Sequence, residues 1–153
     1  MRTVLSLATI AVLLTFAATP LRAAGFDEKL PDAASIAALE TRAAQAQPRE
    51  QCFLYAELVH ELIEFSSIQY AAGEFDKATT TLKRVHDLTS RIHLALANDE
   101  RRLKAAQILL RHTAFRLTEL LHNSDEQDRP LVQQTLAQLN DVQTETMMAV
   151  FKH

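Results

Sequence analysis

Two pairs of residues raise the question of chemistry: Glu57-x-x-His60 and Glu119-x-x-His122. In four-helix bundles such pairs, joined by single glutamates from the other two helices, hold two metal ions if every side chain points inward. Plotted at about 100° per residue, Glu57 and Glu119 fall nearly opposite the apolar stripes of their segments, and both histidines lie well off the stripe centre. No carboxylate interrupts the core stripes of the other two helical segments. Chance spacing on solvated faces is the expectation, with no metal site and no cofactor. His86 and His93 share a flank, but seven residues of helix rise by about 10.5 Å, too far for one ion. His60 and Glu64, four apart, and the terminal His153 could hold a cation weakly, and ordinary surface histidines are the plainer expectation.

Nucleophilic chemistry has no better footing. The chain has no G-x-S-x-G, and Ser35, Ser66, Ser67, Ser90 and Ser124 are scattered. Cys52 is the single cysteine and falls on the apolar stripe of its segment, as a small buried residue would. A reactive thiol wants a positive, partly open setting with a base nearby. One cysteine also excludes an intramolecular disulfide, C-x-x-C redox chemistry, a C-x-x-C-H haem attachment and a four-thiolate site. The run Arg101-Arg102-x-Lys104, with Arg111 and Arg116, alternates with Asp99, Glu100 and Glu119, the pattern of a solvated, salt-bridged face. The expectation is a protein that is not an enzyme.

The elements that carry these residues follow from composition. Among 153 residues there are 2 Gly and 4 Pro, with 48% hydrophobic and 23% charged residues. An all-β or Gly-rich nucleotide-binding fold needs turn residues far more often, and a disordered chain is less apolar. The predicted fold is all-α.

Residues 1–24 hold no acid, open Met1-Arg2 and run apolar from Thr3 to Ala18, with small residues at Ala17, Ala18, Ala23 and Ala24. These are the marks of a secretory signal peptide. The apolar run is shorter than the roughly 20 residues of a membrane span, and an uncleaved inner-membrane anchor is the alternative. The expected destination is periplasmic or extracellular, with no membrane span after cleavage. Cleavage after Ala24 leaves 14 Lys and Arg against 19 Asp and Glu, a net charge of −5, which argues against nucleic acid. Residues 25–31 read as a linker and 32–153 as one domain.

Asp32 caps a short helix over 33–46, and Pro48 opens a long one to Ala72 with Gly73 at its C-terminal cap. Further helices are predicted near 75–97, over 99–122 after an Asn98 cap, and from Asp128 and Pro130 to about Phe151. No Gly or Pro separates the second and third long helices. The core stripes are Cys52, Ala56, Val59, Ile63, Ser66 and Tyr70, widened by Tyr55 and Leu62; Ala78, Leu82, Val85, Leu88, Ile92 and Leu96; Leu103, Ala106, Leu110, Ala114, Leu117 and Leu121; and Val132, Leu136, Leu139, Val142, Thr146 and Val150. Four amphipathic helices of similar length with short connections predict an up-down bundle, the short helix packed on one flank.

Some apolar residues miss these stripes. Leu54, Phe65 and Ile68 lie on the back of the first long helix, Ile108 and Phe115 on the back of the third, Met148 and Phe151 at the C-terminus. The flanking helix can cover one side, so Ile108, Phe115, Met148 and Phe151 are the expected contact surface for a protein partner or a homo-oligomer.

One stretch resembles a tetratricopeptide helical hairpin. In SSIQYAAGEFDKATTTL, Ser66, Gly73, Phe75, Ala78 and Leu82 occupy the repeat's small, glycine, aromatic, alanine and large apolar positions, and Leu62 and Phe65 fit the earlier apolar ones. Tyr70 is displaced by one, Val85 and Ser90 replace the usual Ala and Pro, and no glycine stands near Gln107 to start a second copy. The resemblance covers about residues 59–90 once. It implies one repeat-style hairpin within a bundle, and protein binding as the role.

Overall fold

The computed structural model describes residues 30–96 and 102–152. The described residues form five helices: α1 (Ala33–Gln45), α2 (Pro48–Ala71), α3 (Phe75–Leu96), α4 (Leu103–Asn123) and α5 (Arg129–Val150). The signal-peptide segment, residues 25–29 of the linker, the Asn98 cap with Asp99, Glu100 and Arg101, and His153 lie outside the described residues. No helix among the described residues is long and apolar enough to cross a membrane.

Local chemistry accounts for most of the ends. Asp32 accepts from the Ser35 backbone N–H at 2.7 Å, while Ser35 Oγ accepts from the Asp32 N–H at 3.1 Å, a reciprocal cap on α1. Pro48 stands in the first turn of α2, where a missing N–H costs nothing. Gly73 ends α2 with φ +75°, left-handed backbone that a side chain disfavours. α4 starts at Leu103, later than the Asn98 cap predicts, because Arg102 is non-helical at φ −125°, ψ 16°.

The helices stack as hairpins. α2 and α3 run antiparallel around Gly73, as do α4 and α5 around residues 124–128, and the second hairpin packs on the first. Cross-helix partners rise together along the pairs: His60 meets Thr113 and Glu64 meets Arg116, while Ser90 meets Gln138 and His93 meets Glu145. α2 therefore lies parallel to α4, and α3 parallel to α5. The directions alternate as an up-down bundle predicts, and what differs is adjacency, since α2 neighbours α4 and α3 neighbours α5. α3 and α4 instead stand diagonally across the core.

The wide apolar surface of α2 dictates this arrangement. Leu58, Val59, Leu62 and Ile63 are fully buried, and Phe53, Leu54 and Tyr55 nearly so, which leaves α2 little face for water. Leu82, Val85 and Ile92 of α3 and Leu110 and Leu117 of α4 gather around it, and Val132 and Leu139 of α5 complete the same core. α1 covers the side of α2 turned away from α4, burying Ile36 and Ala43 and fixing ion pairs from Arg42 to Glu57 (2.7 Å) and from Glu40 to Arg84 of α3 (2.9 Å). Leu54 belongs to the core and Phe65 is half-buried against it, so two of the off-stripe residues are covered within the chain; Ile68 is exposed.

Candidate interaction surface

α1 covers one side of the stack, whereas no described helix covers the outer side of the α4/α5 hairpin. Apolar side chains stand exposed there. Ile108 and Phe115 are seven residues, about two turns, apart on one flank of α4 and are 48% and 63% exposed. Met148 and Phe151, at 50% and 83%, lie at the end of α5, level with the first turn of α4 because the two helices run antiparallel. The four thus form two places, one along α4 and one at the end of the stack. Met147, 40% exposed, joins the second; it stands one position off the apolar stripe of α5, so helix periodicity does not mark it.

Phe115 also borders a groove of about 530 Å³ between α2 and α4, with Leu30, Leu109, His60, Glu64 and Arg116 on its walls. Arg116 holds it together. Its Nε and Nη2 donate to the two carboxylate oxygens of Glu64 at 2.5 and 2.7 Å, and its Nη1 donates to Glu119 at 2.5 Å. These hydrogen bonds, outweighing partial burial, hold the Glu64 carboxyl below the usual range, and the nearby positive charge of Arg116 acts in the same sense.

His60 is tied down as well. Thr113 Oγ1 lies 2.8 Å from the Leu109 carbonyl, to which it donates, and 3.0 Å from His60 Nδ1.

The depressed Glu64 pKa has a definite sign. Stability from the ion pair is fully present above the unfolded value near 4.5 and is lost as pH falls through the lower folded value. Glu64→Gln is therefore expected to lower stability at pH 7 by about 1 kcal/mol, kept small because Arg116 is well exposed and screened. Thermal melts from pH 7 to pH 3 should show the two chains converging below about pH 4.5. A gap that stays constant over that range overturns the assignment.

The residues singled out for metal chemistry are kept apart. Glu57 faces Arg42 of α1, Glu119 faces Arg116, and His122 Nδ1 meets the Thr118 carbonyl at 2.7 Å. Glu64 turns to Arg116 instead of sharing an ion with His60, and His93 pairs with Glu145 at 2.5 Å. Among the described residues no three His, Cys, Asp or Glu side chains come together as metal ligands. Cys52 is fully buried on the core side of α2. His60 is not the solvated residue that helix phase suggests, since a threonine 53 positions away holds it half-buried.

A polar cluster at the loop end of the bundle was legible only in part. Asp128 is 6% exposed, and its carboxylate accepts from the Tyr70 hydroxyl and from Thr79 Oγ1 (2.7 Å). Sequence marks Asp128 as the start of α5, but its side chain makes no cap bond there. It joins the end of α2, the start of α3 and the α4–α5 loop.

No family model, curated protein or solved structure matches the chain.

Proposed function

We propose that this chain is an exported, non-catalytic helical protein that binds a protein partner or itself through the outer side of the α4/α5 hairpin. One observation carries the proposal: Ile108, Phe115, Met148 and Phe151 stand exposed on the side of the stack that α1 does not cover. Large exposed apolar side chains set close together mark contacts, and these stand in two places, Ile108 and Phe115 along α4 and Met148 and Phe151 at the end of α5. The acid-free, apolar N-terminal segment supports export. The single tetratricopeptide-like hairpin read in residues 59–90 implies protein binding in the same sense.

Light scattering and affinity capture with the purified chain test this role. Phe115→Asp and Phe151→Asp should weaken self-association or partner retention by roughly tenfold or more, with an unchanged helical melt. A monomer that retains no partner sinks the proposal.

The α2/α4 groove favours a second reading, a small-molecule or metal-binding bundle. Its walls combine Leu30, Leu109 and Phe115 with His60, His112 and Glu64, which suits a ligand with both apolar and polar parts. Elemental analysis after mild purification, and a rise in melting temperature on adding metal or ligand, would favour it over the first.

A further inference from the structure

On the side away from the core α4 carries a second stripe: Lys104, Ile108, Arg111, Phe115 and Glu119, all exposed. Their spacings of three and four residues place them on one flank of the helix. Charge along the flank is polarised. Lys104 stands in the first turn, where the helix dipole disfavours a cation, and Arg111 follows it. At the other end Arg116 is shared between the carboxylates of Glu64 and Glu119, so that cluster keeps a net negative charge. Ile108 and Phe115 lie between the two ends.

We propose that this flank is the contact between two copies of the chain, with α4 antiparallel to α4 of the second copy about a two-fold axis between Arg111 and His112. This deepens the interaction role proposed above, on which it rests, by naming a second copy as the partner. Such an axis sets Ile108 against Phe115 of the second copy and Phe115 against its Ile108. It sets Lys104 against Glu119 of the second copy, and Glu119 against its Lys104. The 108/115 contacts are then apolar against apolar and the 104/119 contacts cation against anion, and each occurs twice, as a two-fold contact requires; the two Arg111 side chains approach at the axis and are the like-charge pair of the set. A parallel pairing would put lysine beside lysine and glutamate beside glutamate. Arg111 and His112 flank the axis, where the arginine stem can cover the apolar pairs while its charged end reaches water. From Lys104 to Glu119 the contact runs about 22 Å. One helix pair of that length is a small interface, so the dimer should form at micromolar concentrations or above.

Sedimentation of the full chain over a range of concentrations tests this. Lys104→Glu and Glu119→Lys should each weaken association by roughly tenfold, because each homodimer then sets like charges opposite one another twice. Mixed in equal amounts, the two variants should associate within about threefold of the unmodified chain, because in the mixed dimer both end pairs are again opposite in sign. Phe115→Asp should abolish association in every combination. Melts followed by circular dichroism separate these effects from unfolding, which matters for Glu119→Lys because it also removes a partner of Arg116.

Three results would overturn the dimer: an unmodified chain that stays monomeric throughout, association indifferent to both charge reversals, or reversed chains that fail to associate when mixed. A monomer that keeps a protein partner lost on Phe115→Asp overturns the dimer and leaves the interaction role standing. A folded Phe115→Asp chain with unchanged association and unchanged partners overturns both.

Discussion

Leu62→Ala is expected to lower the unfolding free energy by about 3 kcal/mol, the middle of the range for removing a fully buried leucine. Leu62 lies on α2, the helix that touches α1, α3 and α4, and has no exposed surface. Truncation there removes contacts from a helix buried on nearly every side, so little of the surround can relax inward to fill the void. In a domain of this size the loss should appear as a fall in melting temperature of about 12 °C. Leu62→Met, which keeps the volume, should cost under about 1.5 kcal/mol. If Leu62→Ala cost less than 1 kcal/mol, α2 would not be the central helix of the stack. Urea unfolding followed at the helical signal measures both variants.

The second large effect is expected at Asp128. Asp128→Ala leaves the hydroxyls of Tyr70 and Thr79 without the carboxylate that accepts from both, at the point where α2, α3 and the α4–α5 loop meet. Losing a charged, nearly buried acceptor shared by two donors should destabilise by about 3 kcal/mol. Tyr70→Phe removes one of the two bonds and should cost about 1 kcal/mol; Asp128→Asn keeps one accepting oxygen and should fall between. Burial, then the bond to Asp128, push the Tyr70 phenol above its ordinary 10. The folded state therefore holds that proton more tightly, and stability from this group is lost as pH rises above about 10, where the unfolded phenol ionises. Tyr70→Phe should flatten that alkaline loss. Equal stabilities for Asp128→Ala and the unmodified chain would show that the cluster does not hold the hairpins together.

The two predictions differ in how far sequence alone leads to them. Leu62 falls beside a stripe drawn by periodicity, because a helix repeats every 3.6 residues whatever it packs against. Asp128 is legible as the start of a helix and as nothing more, since its true partners lie 58 and 49 residues away. The candidate surface divides in the same way. Ile108 and Phe115 stand out in sequence because they miss the stripe of α4, whereas the ion pair beside them joins Glu64 to Arg116 across 52 residues.

Sequence by itself determined the all-helical class, the five helices, most of their ends and the core faces of α3, α4 and α5. Those features depend on short-range physics: capping side chains, proline and glycine backbone limits, and the phase of apolar residues within a single helix. Tertiary structure alone decided that α2 packs beside α4 and α3 beside α5, that Leu54 is core, and that α1 covers one side of the stack and leaves the other bare. An apolar stripe states which face a helix must bury and carries no mark of the helix that will bury it. That choice belongs to the whole chain, where the broad apolar surface of α2 gathers three neighbours and the α4/α5 hairpin, last in the stack, keeps its outer side exposed.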